Sequence, residues 1–459
     1  MLDPHPDMTD GVIHGLGWLY LTLCAMNLVW TVLSFRNHEH VRLWDSLGGA
    51  SVPKATVWAV YSVLLFMVAA AHFAGLGESE TFPLRLPLWF KIAADKIVAN
   101  AVIYFLLSFI GLAALIVLRR WLARPTVAWV LLNIAAIFTT LSITDWDFRQ
   151  IVGKPDNVPI VSMLFIVGFF TWLYLSRAVD NDRRIEQGKP LYEQEKNDKV
   201  LVWPDLVYSE MICMVVITVI LVAWGIVLQA PLEEPANAAS TPNPSKAPWY
   251  FLGLQEMLVY YDPWLAGVVF PSLIIVGLMA IPYIDFNKKG NGYYTFNERK
   301  FAVITFMVGF LPLWIAMIIL GTFLRGPNWN IFGIYEYWDV HKLEVLNNIN
   351  LSEYFWVYSA WGTGLPKAAP DAGAGGQFVM ILLREAPGLI AVIVYLAVMP
   401  PLLIFIPFFR RMYARMGFIR YMVFMNLLLF MAALPIKMVF RWAFNLKYIV
   451  AIPEYFFNI

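Results

Sequence analysis

The chain has 459 residues, of which 60% are hydrophobic and only 14% are charged, whereas soluble proteins carry about 25% charged residues. This composition excludes an ordinary soluble globular protein, because so much apolar surface cannot be buried within one. The formal net charge of +1, with basic residues spread over many connections, also excludes a nucleic-acid-binding protein that relies on a basic stripe.

The first half of the chain contains five apolar runs, each close to the roughly 20 residues that a membrane span needs. They lie near residues 13–35, 56–75, 97–118, 127–144 and 160–176. The start of the chain, MLDPHPDMTDG, lacks the basic residues that open a secretory signal peptide, so we expect the first run to be retained. We assign residues 1–178 to a five-helix transmembrane module whose role the sequence does not indicate.

A strongly charged segment, RAVDNDRRIEQGKPLYEQEKNDK, follows the fifth run. It predicts a cytoplasmic linker over residues 179–205. Five further apolar runs lie near residues 206–229, 264–283, 301–324, 388–408 and 420–440. The predicted fold class is therefore all-α, a polytopic transmembrane helical protein of about ten spans.

The distribution of basic residues predicts the orientation in the membrane. If the N-terminus lies outside, 20 of the 33 basic residues fall in the five inner connections, as the positive-inside rule requires. Both termini are then expected on the outer, periplasmic side of a bacterial inner membrane.

Two outer segments are too long for simple turns, and long ordered loops often carry function. Residues 230–263 begin with a Pro-rich stretch and then read WYFLGLQEMLVYYDPW. Because proline suits the first position of a helix, Pro248 predicts a short helix at the membrane surface. Residues 325–387 contain IYEYWDV and AAPDAGAGG; we expect the second stretch to be flexible and the segment to cover a partner surface.

Four motifs occur in order between about residues 200 and 335: VWPDLVY, EEPANAASTPNPSKAPWYFLGLQEML, VVFPSLIIVGLMAIPYID and GTFLRGPNW. Together they resemble the C-terminal part of cytochrome b, which forms a separate subunit IV in the photosynthetic cytochrome complex. The resemblance implies that residues 206–459 form a cytochrome b C-terminal-like transmembrane domain, fused to the unassigned module. This domain would contain a quinol-oxidation loop at 230–263 and an extra C-terminal helix.

In that family the tetrapeptide Pro-Glu-Trp-Tyr lines the outer quinol-oxidation pocket. The matching residues here run from Ala247 to Tyr250, with Pro248 at the glutamate position. The family glutamate is thought to accept a proton from quinol, so another group must serve. Glu256 is the nearest carboxylate, and Asp262 and main-chain carbonyls are alternatives. Loss of the glutamate is associated in the family with low-potential quinones, which favours menaquinol over ubiquinol.

A quinol headgroup is flat, aromatic and polar at two ends, so its pocket needs apolar walls and a few hydrogen-bonding groups. The candidate quinone-binding residues are Pro248, Trp249, Tyr250, Phe251, Tyr260 and Tyr261. Aromatic residues also anchor proteins at membrane interfaces, and this alternative stays open. The corresponding alternative for Glu256 is a solvated residue at the rim.

Cytochrome b holds two haems through spaced pairs of histidines, and this sequence lacks such pairs. Its histidines are His5, His14, His38, His40, His72 and His341, and its two cysteines form no C-x-x-C-H arrangement. The resemblance therefore places haem b in a partner chain similar to the N-terminal half of cytochrome b. His14 and His72, at the outer ends of neighbouring predicted helices, are weak candidates for a shared metal or haem; the alternative is ordinary interfacial histidines.

The leading hypothesis is a haem-free subunit of a bc-type quinol:acceptor oxidoreductase, active only within its complex. It implies an iron–sulfur protein and a c-type cytochrome as partners, besides membrane lipids. A ten-helix secondary transporter is one alternative, which would require broken helices and inverted repeats. A non-catalytic scaffold is the other.

Charged residues near span ends are either interfacial anchors or proton-path groups. They are Asp95, Lys96, Asp145, Asp147, Glu210, Lys437 and Arg441.

Overall fold

The structure is a computed structural model that describes residues 8–42, 51–75, 84–196, 198–229, 232, 235–287, 294–344, 347–359 and 362–459. His5 and the first residues of the chain lie outside this description, as do Glu233 and Glu234 of the Pro-rich stretch.

The described residues are predominantly helical. In chain order the helices are α1 (Asp10–Arg36), α2 (Lys54–Ala74), α3 (Leu88–Val98), α4 (Ala101–Val117), α5 (Arg119–Leu122), α6 (Pro125–Ser142), α7 (Trp146–Val152), α8 (Val158–Glu186), α9 (Tyr192–Glu195), α10 (Val202–Val227), α11 (Leu252–Met257), α12 (Leu265–Ile284), α13 (Lys300–Leu324), α14 (Leu351–Trp356), α15 (Ala374–Leu403), α16 (Pro407–Met416) and α17 (Phe418–Phe444). Short 3-10 turns occupy Trp249–Phe251, Pro327–Trp329 and Pro453–Tyr455.

Strands are limited to two antiparallel pairs within the described residues. β1 (His40–Arg42) pairs with β2 (Ser51–Pro53), with His40 opposite Pro53. β3 (Ala451–Ile452) pairs with β4 (Phe457–Asn458), with Ala451 opposite Asn458.

Among the described residues, nine helices are long and apolar enough to span a membrane, and the broken pair α3 and α4 would make a tenth span. The predicted all-α, polytopic class is therefore confirmed. The third span predicted near residues 97–118 corresponds to α4, and α3 precedes it across a 90° bend at Ala99 and Asn100. Asparagine competes for backbone hydrogen bonds and favours helix ends, which explains a break at this position.

Helix α15 begins earlier than the sequence predicted. It starts at Ala374, inside the Gly/Ala-rich stretch that was expected to be flexible, and it continues through Pro387. The predicted span began only after this proline, because an interior proline usually ends or kinks a helix. In the structure, α15 remains helical on both sides of Pro387.

The charged segment after the fifth span is partly helical. Helix α8 continues into it as far as Glu186, and α9 folds back so that the Tyr192 N–H donates to the Asn181 side chain at 3.0 Å. Arg184 forms a salt bridge of 2.5 Å with Glu195.

Contacts between residues divide the chain into two compact units. The first unit comprises residues 1–100, 114–236 and 332–338, and the second comprises residues 101–113, 237–331 and 339–459. The domain boundaries predicted from the sequence stay a prediction.

In the first unit, α1 and α2 run antiparallel, with the Tyr20 ring 5.1 Å from the His72 ring. A buried amide pair joins α1 to α6. Asn27 donates to the Asn133 side chain at 2.7 Å and accepts a hydrogen bond from the Trp129 indole at 2.9 Å. Polar side chains that pair in this way link helices inside a membrane.

The core of the second unit surrounds α11. Its buried residues come from α4, α11, α12, α13, α17 and the loop after α11; they are Phe105, Met257, Tyr260, Tyr261, Leu265, Ala266, Phe270, Leu313, Met317, Leu434 and Met438. Glycines let α11 approach α13 closely. A Cβ on Gly321 would lie 3.1 Å from the Leu252 carbonyl oxygen, and one on Gly253 would lie 3.5 Å from Ile318. The segment that contains α11 is therefore packed firmly on α13.

Candidate quinol-loop site

The helix predicted after Pro248 is confirmed. Pro248 precedes a 3-10 turn over Trp249–Phe251, which leads directly into α11. The Gln255 side chain folds the preceding stretch back onto this helix. Its Oε1 accepts from the Ala247 N–H and its Nε2 donates to the Ser245 carbonyl, both at 2.8 Å.

Three aromatic residues of the predicted pocket form one surface. Trp249, Tyr250 and Phe251 are 38%, 47% and 48% exposed. The Trp249 and Tyr250 ring centroids are 5.6 Å apart, and those of Tyr250 and Phe251 are 4.5 Å apart. A continuous exposed aromatic surface marks a contact with a ligand, a partner or lipid.

The other two tyrosines of the predicted set lie in the core. Tyr260 is fully buried against Trp442, with ring centroids 6.1 Å apart, and Tyr261 packs edge-on against Phe270 at 4.9 Å. Burial raises the pKa of both hydroxyls, and the nearby Glu256 charge adds to the effect at Tyr260. Both phenols therefore remain protonated at neutral pH.

Glu256 is completely buried, so its alternative interpretation as a solvated rim residue is wrong. Its two carboxylate oxygens accept hydrogen bonds from Arg325 Nε at 2.8 Å and from Nη2 at 2.6 Å. Arg325 also donates from Nη1 to the Trp329 carbonyl at 2.7 Å. Burial alone would lower the pKa of Arg325, but the Glu256 charge and hydrogen bonds raise it overall. The pair is a two-bond, charge-assisted contact.

Two of the four sequence motifs, EEPANAASTPNPSKAPWYFLGLQEML and GTFLRGPNW, contact each other in the structure. Lys246 Nζ donates to the Thr322 carbonyl at 2.8 Å. Asn243 accepts from the Asn328 backbone N–H at 2.7 Å and donates to the Asn328 side chain at 3.0 Å. Sequence reasoning missed these residues and Arg325, because the partners are far apart along the chain. The only available signal was that both motifs occur in one sequence.

Asp262 lies half-buried at the end of the loop. Tyr448 Oη donates to its Oδ1 at 3.1 Å, and Asn458 Nδ2 lies 3.4 Å from the same oxygen. Lys447 Nζ donates to the Val259 carbonyl at 3.2 Å. Burial and the Asp262 charge raise the pKa of Tyr448 to about 12. The segment after α17 therefore holds this part of the loop.

The two candidate metal-binding histidines differ in environment. His72 is buried, and its Nδ1 lies 2.7 Å from the Val68 carbonyl oxygen, so this nitrogen carries a proton. His14 is exposed, with its ring 5.4 Å from Phe73. No group of three or more potential metal ligands occurs among the described residues. Shared ligation by His14 and His72 stays a prediction.

Several charged residues near span ends have structural partners. Lys91 pairs with Asp145 at 2.5 Å, and Asp95 accepts from the Tyr335 N–H at 2.9 Å. Arg441 donates to the Asn348 side chain at 2.7 Å. Lys437 is also buried, but within the described part of the chain its Nζ has no hydrogen-bond partner.

A comparison with known protein families matches the part of the chain that contains α11 and the segment before it. Residues 235–328 match the sequence model of the family described as cytochrome b (C-terminal)/b6/petD. No solved structure matches the chain. The matched region begins in the Pro-rich stretch and ends in the turn that contains Asn328. It identifies a cytochrome b C-terminal-like region and indicates a membrane subunit of a bc- or b6f-type redox complex, in which quinone and haem b take part.

Proposed function

We propose that this chain is a haem-free subunit of a bc-type quinol:acceptor oxidoreductase, and that Trp249 and Tyr250 line its outer quinol-oxidation pocket. One observation carries the proposal. Within the matched region, the residues at the family's quinol-pocket signature form an exposed aromatic surface. Such a surface suits a flat aromatic headgroup. The match also favours this function over a secondary transporter.

The pocket would be completed by another chain. Every residue of α10 from Tyr208 to Val227 is exposed, so no other described residue covers this span, and lipid or a partner is available to contact it. We propose that a haem-bearing chain similar to the N-terminal half of cytochrome b packs against it. An iron–sulfur protein and a c-type cytochrome would then receive the electrons.

The quinol proton needs an acceptor, because proline replaces the family glutamate at Pro248. Glu256 is one candidate, but protonating it would remove the charge that pairs with Arg325 and weaken its two hydrogen bonds. Asp262 is less enclosed, and the hydrogen bonds that its carboxylate accepts come from neutral groups. These contacts favour Asp262 for the proton-accepting step. With the usual glutamate absent, menaquinol is the expected substrate.

The test is Tyr250→Ala in the intact complex. If Tyr250 contacts the headgroup, quinol-driven reduction of the acceptor should slow by more than tenfold, which corresponds to about 1.4 kcal/mol of lost stabilisation. Tyr358→Ala is the matched control, because Tyr358 is an exposed tyrosine outside the loop. Normal turnover in an assembled Tyr250→Ala complex would favour the non-catalytic scaffold.

A further inference from the structure

A long groove crosses the second unit between α12, α13 and α17, with a volume of about 1130 Å³. Its walls are apolar and include Gly277 and Ile281 of α12, Phe306 and Gly309 of α13, and Leu427 and Met431 of α17. From Phe270 to Ile284 the groove follows one helix for about 22 Å at 1.5 Å per residue. The hydrocarbon core of a bilayer is about 30 Å thick and one leaflet about half of that, so the groove is long enough for the acyl chains of one phospholipid.

One end of the groove is charged. Arg299 joins α13 to Asp285 through two hydrogen bonds of 2.8 and 3.1 Å. Lys300 and Arg415 line the same end, and neither forms a salt bridge within the described residues. Glu298 also lines this end, so three cations face two carboxylates and the net charge is +1. Because Arg299 is paired with Asp285, the excess of one positive charge arises from Lys300 and Arg415 together, which share this end with the single carboxylate of Glu298.

The helix that supplies Arg415 has the pattern of an interfacial helix. In α16, Met412 and Met416 are buried, whereas Arg410, Arg411 and Arg415 are exposed. An amphipathic helix with arginines on its polar face lies in the headgroup region and attracts anionic lipid. The Arg415 guanidinium also lies 5.5 Å over the Phe286 ring, which fixes it at the mouth of the groove.

We propose that this groove binds one anionic phospholipid, with its acyl chains along the apolar walls and its phosphate between Lys300 and Arg415. Charge complementarity selects this occupant. A quinone has an apolar tail that would fit the walls, but its ring carries no formal charge to match the two cations. The charged end lies on the face that the positive-inside pattern predicts to be cytoplasmic.

The experiment uses the intact complex, delipidated in detergent and then titrated with phosphatidylglycerol or phosphatidylcholine, with retained lipid counted by native mass spectrometry. The wild type should retain one phosphatidylglycerol in at least tenfold preference to phosphatidylcholine. The double variant Lys300→Gln/Arg415→Gln should lose this preference. The control Arg410→Gln/Arg411→Gln removes the same number of charges from α16 outside the groove, and it should retain the lipid.

A second variant tests the walls without changing charge. Gly277→Leu places a side chain in the groove, where among the described residues only Leu427 lies within 4 Å of the new Cβ, and should lower retention of phosphatidylglycerol. Equal retention of both lipids by the wild type would overturn the proposal. So would undiminished phosphatidylglycerol binding in the assembled double variant, or quinone as the molecule retained in the groove.

Discussion

Glu256 and Arg325, 69 residues apart in the chain, form a buried ion pair with two hydrogen bonds. Glu256 belongs to α11, and Arg325 directly follows α13. The pair therefore fixes the short helix α11 to the end of α13. Replacing one member of such a buried pair lowers the free energy of unfolding strongly, because the charge of the other member stays buried without a partner.

Arg325→Met should accordingly destabilise the second unit by about 3–5 kcal/mol. The measurement is the thermal unfolding midpoint of the purified complex, together with its yield. Arg120→Met is the control, because the Arg120 pair with Glu186 is exposed on both sides and exposed pairs contribute about 0–1 kcal/mol. The double variant Glu256→Gln/Arg325→Met should recover much of the loss. An unchanged midpoint in Arg325→Met would contradict a stabilising role for the pair.

Gly388 in α15 should tolerate no side chain, because a Cβ there would lie 1.9 Å from the Ile449 carbonyl oxygen. Gly388→Ala must push the segment after α17 away from the helix, at a cost of about 1–3 kcal/mol. Gly168 in α8 is the matched control, since no neighbouring atom of the described residues lies within 4 Å of its Cβ position. Thermal unfolding of the two alanine variants should differ, and equal midpoints would exclude the close approach.

The membrane spans were largely predictable, because length and apolar character are local properties of the sequence. Helix α3 was missed because Lys91 and Asp95 interrupt its apolar pattern. In the folded chain Lys91 pairs with Asp145, and Asp95 accepts the Tyr335 N–H. These partners come from distant parts of the sequence, so no local pattern could indicate that the charges are compensated.

The candidate site was predictable only in part. The motif gave the positions of Trp249 and Tyr250, and Pro248 indicated the start of the short helix. The burial of Tyr260 depends on Trp442, and the environment of Glu256 depends on Arg325. Both contacts arise from tertiary packing between segments that have no shared periodicity.

The ion pair between Arg384 and Glu454 should make stability depend on pH. Two hydrogen bonds of 2.8 and 2.9 Å from Arg384 hold the pKa of Glu454 below its ordinary value of 4.5. A carboxylate with a lowered folded-state pKa contributes stability above its unfolded-state pKa, and this contribution is lost as the pH falls through the folded-state pKa.

The unfolding midpoint of the complex should therefore decline on acidification below about pH 4.5, and Glu454→Gln should reduce that decline. Glu353→Gln provides a comparison, because Glu353 forms no salt bridge among the described residues. Identical pH dependence in wild type and Glu454→Gln would exclude this contribution.

The remaining prediction concerns the carboxylate that accepts the quinol proton. If Asp262 accepts it, Asp262→Asn should lower turnover by about 100-fold or more, the usual contribution of a general base, while quinol still binds. Glu256→Gln retains an oxygen that can accept from Arg325, so its turnover should change much less. Tyr448→Phe keeps the Asp262 carboxylate but removes the hydroxyl that donates to it, and its effect should be intermediate with a shifted pH profile. Normal turnover in Asp262→Asn combined with a large loss in Glu256→Gln would assign the proton to Glu256. If both variants turn over normally across pH, the acceptor must lie on a partner chain.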